Sequence, residues 1–213
     1  MPTTPTITQT KPAYKVTVRD FFLVFRPETE GVAAYEDTIH QLPVIKEVTV
    51  TPDANEKKIY ASGIVYAQTT RVSGTDLGVN AVALPAAIVR RAAGETVVGA
   101  SGVSYGVSNP VRVEFGCGFV TELSDGGKEY RFYPRCVLNI PEETHSTSED
   151  EDPDPEDQYT ISALPTDEKV TRVFYSTANC ASGKVPISEA AFFGARPYLK
   201  SEIEALAALE VSG

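Results

Sequence analysis

The stretch PVRVEFGCGFVTELSDGGKEYRFYPRCVLNI, residues 110–140, decides the fold. In its first half Val111, Val113, Phe115, Cys117, Phe119 and Leu123 fall on odd positions, while Arg112, Glu114 and Glu122 fall on even ones. That period of two is the mark of a half-buried strand. After Ser124-Asp125-Gly126-Gly127 the parity changes: Tyr130, Phe132, Cys136, Leu138 and Ile140 form the apolar set, and Glu129, Arg131, Tyr133 and Arg135 alternate with them. With Gly126-Gly127 as a two-residue turn, Cys117 and Cys136 stand equidistant from it and face one another. A one-residue slip would break both apolar faces, so turn and strands together predict one ribbon, apolar on one side and charged on the other.

Outward from this ribbon the pattern remains that of a β protein. The chain has 213 residues, enough for one full core, with 10 Tyr, 9 Phe, no Trp and one Met, and its apolar runs are short and rich in Val, Thr and Tyr. Residues 1–13 are Thr/Pro-rich and read as an extended arm. A strand is predicted over 14–25, a polar loop over 27–37, and a second strand over 42–51 that stops at Pro52-Asp53-Ala54-Asn55, a turn signal. Strands follow over 58–71 and 77–84. Pro85 opens a helix over 85–93 and Gly94 closes it, with Leu84, Ile88 and Ala92 as its apolar side. Residues 99–107 are Gly/Ser-rich and read as a loop or a weak strand.

Beyond the ribbon, strands over 159–164 and 169–176 turn at Pro165-Thr166-Asp167-Glu168. Leu199, Ile203, Leu206 and Leu209 recur at helical spacing, so a short amphipathic helix is predicted over 198–209. It docks on its own domain or on a neighbouring subunit, and those four side chains are the assembly-contact candidates. The domain organisation expected is an arm (1–13), a β domain of sandwich or barrel-like form (14–176) and a C-terminal extension (177–213).

The net charge is −10, but nine acids lie between Glu142 and Asp157 with no Lys or Arg among them; outside this run 20 acids meet 19 bases. The run includes Glu149, Asp150, Glu151, Asp152, Asp154, Glu156 and Asp157. An acidic chain without a basic stripe offers little to phosphates, which excludes ordinary nucleic-acid binding. Asp150, Asp152 and Asp154 have alternating spacing, but an EF-hand requires Gly and Glu where Pro155 and Ile161 stand. The loop is therefore expected to be solvated and self-repelling. His40 and His145 lack a nucleophile or metal-ligand spacing nearby and are expected at the surface. Gly116-Cys117-Gly118 is too short for a dinucleotide fingerprint. Neither a catalytic constellation nor a cofactor site is expected. The three cysteines, Cys117, Cys136 and Cys180, suit a reducing compartment, and the absence of a long apolar run or a basic, apolar leader predicts a soluble chain that neither enters a membrane nor passes the Sec pathway.

The order of elements adds a family. The strand Val16-Thr17-Val18, a loop with Gly31 and Tyr35, a strand around Val44 to Val50, Lys58-Ile59-Tyr60-Ala61-Ser62-Gly63, the Leu84-Pro85 helix ending at Gly94, the hairpin from Gly116 to Tyr133 and a final strand pair resemble the major tail (tail tube) proteins of long-tailed, non-contractile bacteriophages. The similarity spans roughly residues 16–175 and rests on the succession of elements. It implies a structural virion protein with no catalysis and no cofactor, assembling into hexameric rings stacked as a tube. Partners would be the chain itself, a tape-measure protein, and tail terminator and distal tail proteins. DNA would pass through the lumen without specific binding. The implied location is the virion tail, and the host cytoplasm during assembly. In such tubes hairpins join into an inner barrel, which makes Arg112, Glu114, Glu122, Glu129, Arg131 and Arg135 the lumen-facing candidates. The competing expectation is a monomeric β-sandwich binding or adhesion module whose acidic loop clamps a cation.

Overall fold

A computed structural model describes residues 12–29, 32–61, 64–98, 102–140, 156–180 and 182–212. The chain is mainly β, with a large antiparallel sheet and three short helices. Its strands are β1 (Lys15–Phe25), β2 (Glu28–Thr29), β3 (Val32–Ala33), β4 (His40–Leu42), β5 (Ile45–Ala61), β6 (Ile64–Ala81), β7 (Thr96–Val97), β8 (Ser104–Tyr105), β9 (Phe115–Leu123), β10 (Lys128–Leu138), β11 (Asp157–Ala163), β12 (Val173–Ser176), β13 (Lys184–Val185) and β14 (Val211–Ser212). The helices are α1 (Ala86–Ala93), α2 (Glu189–Ala195) and α3 (Lys200–Leu206).

The main sheet runs in the order β4-β1-β9-β10-β11-β6-β5, with β12 added on β10. Its two ends, β4 and β5, are neighbours in the chain, parted by Pro43 and Val44. One stretch of chain, turning at Pro43 and Val44, thus pairs with β1 through its first residues and with β6 through the rest. Tying both ends of the sheet to neighbouring stretches of chain curls it into a barrel-like body, while the outer parts of β5 and β6 keep free edges.

Alternation then sorts the side chains. Phe21, Leu23 and Phe25 of β1, Leu77, Val79 and Ala81 of β6, Phe115, Cys117 and Phe119 of β9, and Tyr159, Ile161 and Ala163 of β11 pack in the interior, joined by Ile88 and Ala92 of α1. The opposite faces of β1, β9 and β10 are covered as well. There Phe22, Val24, Val120, Tyr130 and Phe132 form a second core with Val173, Ile187, Phe192, Phe193 and Leu206. Phe22 stacks on Phe193 with ring centroids 4.0 Å apart, and Phe192 meets Phe193 edge to face at 5.1 Å.

The central hairpin of β9 and β10 therefore differs from the amphipathic ribbon expected. Regular pairing starts at Phe115 instead of Pro110, and β9 is buried on both faces as far as Thr121. Cys117 pairs with Tyr133, and Cys136 with Phe115, because the ladder slips between Tyr133 and Cys136. Pro134, which has no N–H to give a ladder, lies within that bulge. The slip breaks the parity read from the sequence: Tyr130 and Phe132 point into the outer core, whereas Tyr133, Cys136 and Leu138 point into the barrel. Gly116 and Gly118 make the double burial possible. A Cβ on Gly118 would stand 2.4 Å from the Arg131 carbonyl oxygen and 2.6 Å from Phe193, and one on Gly116 would stand 2.6 Å from Phe132.

Other expectations are met or revised in the same terms. α1 forms where predicted, and Gly94 ends it at φ 83° with its N–H bonded to the last carbonyls. Residues 52–55 do not turn. The chain passes through them as a strand with a bulge between Asp53 and Ala54, so the separate strands expected over 42–51, 58–71 and 77–84 are two long antiparallel strands, β5 and β6. The 198–209 helix comprises α3 and a following 3-10 turn, Ala207–Leu209, and the Glu202 carboxylate accepts hydrogen bonds from the Tyr198 and Leu199 N–H groups. α2 was not anticipated. Its seven residues are too few for a periodic signal, although Ser188 accepts a hydrogen bond from the Ala191 N–H as an N-cap should. His40 is half-buried, its ring edge-on to Phe25, and is not a solvated surface residue.

Gly118→Ala should destabilise the fold by about 3 kcal/mol, the upper range for overpacking, since its Cβ meets backbone that cannot swing away. The midpoint of urea unfolding measures this. Gly106→Ala, where a Cβ meets nothing, is the matched control.

Candidate assembly interface

β5 and β6 leave the barrel as a two-stranded arm. β11 pairs with β6 only from Thr75 to Ala81, and beyond Thr75 the described residues of β5 and β6 pair with each other alone. The arm's ten β5 residues from Pro52 to Ala61 extend about 30 Å at ~3.3 Å per residue. Before the arm begins, the same two strands are core: Leu77 and Val79 are fully buried, and Val48 and Val50 lie against them. Outward, Ile59, Tyr60, Ile64, Val65, Tyr66 and Val72 are all exposed, Tyr66 at 77%. Cross-strand polar contacts link the two strands of the ribbon. The Ser73 hydroxyl donates to an Asp53 carboxylate oxygen at 2.7 Å, and Gln68 donates to Glu56 at 3.2 Å. A second apolar protrusion, β7 with β8 and the segment after them, exposes Val97, Tyr105, Val107 and Val111.

The lumen-facing candidates of the central hairpin sit elsewhere and are paired within the chain. Glu114 bonds Arg26 at 3.2 Å and Arg135 at 2.8 Å, Arg135 also reaches Asp167 at 3.6 Å, and Glu129 holds Arg131 at 3.1 Å. Glu122 pairs with Arg19 at 2.9 Å, and Arg112 donates to the Asn139 side chain at 3.3 Å. Arg26 stacks over the Tyr198 ring at 3.8 Å, so this network ties β1 and β9 to the C-terminal segment. The expectation of a single charged face turned to water is thereby corrected: Arg131 lies opposite Phe119, its guanidinium 5.7 Å from that ring, while the aromatic layer of the outer core covers the face that carries Gly118 and Val120.

Of the assembly-contact candidates, Leu206 is buried in the outer core and Ile203 packs against it, so α3 docks on its own chain. Leu199 and Leu209 remain exposed, at 42% and 39%. A cavity of about 210 Å³ lies beside α3, lined by Val173, Tyr175, Ile187, Phe192, Ile203 and Leu206. Within the acidic run, Asp157 starts β11 and accepts a hydrogen bond from the Tyr159 hydroxyl at 3.0 Å, and Glu156 precedes it. Glu149, Asp150, Glu151, Asp152 and Asp154 lie outside the described residues, as does His145. Among the described residues no group of three His, Cys, Asp or Glu side chains is placed to hold a metal ion, and no helix is long and apolar enough to cross a membrane.

Burial pushes the hydroxyls of Tyr35 and Tyr133 and the thiol of Cys136 above their ordinary values, and Tyr175 up to about 12. Tyr35 donates to the Pro134 carbonyl, and Tyr175 accepts from the Ile187 N–H at 3.0 Å. These groups stay neutral in the folded chain at pH values where the unfolded chain ionises them. No protein-family model matches the sequence, and no curated protein matches it.

Two measurements follow from this site. Stability should begin to fall near pH 9.0, the ordinary value of the Cys136 thiol, and fall more steeply above 10.0, the ordinary tyrosine value, because the unfolded chain then holds fewer protons than the folded one. Urea midpoints at about pH 9 and about pH 11, with tyrosinate absorbance followed in parallel, give the slope. The double substitution Ile64→Ser with Tyr66→Ser should change the unfolding free energy by less than about 0.5 kcal/mol, since neither side chain belongs to a core.

Proposed function

We propose that this protein is a tube-forming structural subunit: a tail tube protein of a long-tailed, non-contractile bacteriophage, in which stacked six-membered rings enclose a tape-measure protein and later conduct DNA. The arm is the observation that carries the reading. A lone two-stranded ribbon is marginal in water, and here it presents apolar and aromatic side chains to solvent along with two rows of backbone groups that its own sheet does not use. Neighbouring copies answer both needs. When one copy's β6 edge joins the next copy's β5 edge, a head-to-tail contact repeats around a ring and closes. The barrel supplies what such a ring requires of each subunit, a body whose two cores are complete without the arm.

In this reading the lumen wall shifts from the central hairpin to the arm. Between Thr51 and Ser73 the arm carries two acids, Asp53 and Glu56, against three bases, Lys57, Lys58 and Arg71, so it is slightly positive in a chain of net charge −10. One net positive charge per arm gives phosphates only a weak hold, which suits DNA in transit. Leu199, Leu209 and the β7–β8 protrusion are available for contacts between rings, to the tail terminator and to distal tail proteins.

Negative-stain imaging and sedimentation of the purified protein over a range of concentrations test the reading. The expected result is rings or tubes that grow with concentration and are lost in a variant carrying Tyr60→Ser, Ile64→Ser and Tyr66→Ser whose melting temperature is unchanged. A wild-type protein that stays monomeric throughout, and whose melting temperature rises with calcium, would instead be the adhesion module.

A further inference from the structure

We propose that Cys117 and Cys136 form a site of intrachain disulfide bonding that fastens the β9–β10 hairpin across its bulge. The two Sγ atoms are 3.4 Å apart, on adjacent strands, in a chain separation of 19 residues. Both side chains are fully buried in the barrel interior. A disulfide needs an S–S distance of about 2.05 Å, so each sulfur must move by less than about 1 Å. The surroundings permit that movement. Between Tyr133 and Cys136 the ladder is interrupted by the bulge, and the Cys136 thiol faces the Tyr133 carbonyl at 3.5 Å as well as Cys117. The hydroxyl of Tyr133, the cross-strand partner of Cys117, is buried without a hydrogen-bond partner among the described residues, so this corner of the core lacks a fixed polar anchor.

The oxidant is a peroxide. Both S–H bonds break and one S–S bond forms, the two electrons pass to the O–O bond of hydrogen peroxide, and the two protons and two oxygens leave as two waters. Burial excludes larger reagents, so the pair reacts with small oxidants and slowly, whereas Cys180, half-exposed with its Sγ 3.6 Å from the Lys184 carbonyl, reacts first. Closing this loop limits the unfolded chain and raises the melting temperature by about 5–10 °C. The reaction belongs to the single chain and does not depend on assembly.

The test uses the full chain with Cys180→Ser, which removes cross-links between chains. After exposure to hydrogen peroxide, peptide mapping without reduction should find Cys117 joined to Cys136 with the loss of two hydrogens. Melting should shift upward, and dithiothreitol should reverse both changes. Cys136→Ala in the same background should abolish the cross-link and the shift; if that variant does not fold, the peptide map of the C180S protein decides alone. Thiols that persist, oxygen adducts on either cysteine without a cross-link, or a cross-link with no rise in melting temperature would each overturn the proposal.

Discussion

Three strands, β1, β9 and β10, serve two cores at once, and the rest of the structure depends on that constraint. The barrel interior takes Phe21, Phe115 and Phe119 from one face, while the other face receives the aromatic layer of Phe132, Phe192 and Phe193. A strand buried on both sides cannot carry full side chains on both where the covering elements come close. Gly116 and Gly118 resolve the conflict by letting Phe132, Tyr35 and Phe193 rest on the backbone of β9. The C-terminal helices are therefore the second wall of the domain. Removing that wall would expose Phe22, Val24 and Val120, each buried side chain contributing roughly 1.5–3 kcal/mol.

The ion pairs acquire their meaning from the same double burial. Glu114, Arg26 and Arg135 lie where β9 emerges from beneath the aromatic layer, and Asp167 and Tyr198 extend the network to the segments that cover it. Charges that alternate regularly along a strand suggest a wet face. Here they mark the border between two dry ones, and their partners come from within the chain.

Much of the fold was legible in the sequence because it rests on local signals. The existence of β1, β9 and β11, the Pro85 and Gly94 limits of α1 and the Pro165–Glu168 turn each follow from residues a few positions apart. Three features were hidden. The bulge at Pro134 changes the facing of β10 partway along, and parity counted from one end cannot register it. The Pro52-Asp53-Ala54-Asn55 sequence has every local reason to turn, yet its cross-strand partners Thr75, Gly74, Val72 and Arg71 hold it extended. The arm was missed for that reason, since its exposed valines and tyrosines look in sequence like any half-buried strand.

The joining of β4 and β5 into one segment has a mechanical consequence. A load along the arm pulls β5 and β6 in the same direction and is resisted in shear where β6 pairs with β11, from Thr75 to Ala81. It then reaches Pro43 and Val44, where the same segment closes the barrel against β1. The arm is thus rooted where β4 and β5 meet, and a pull on it spreads over the ladders on both sides of that junction.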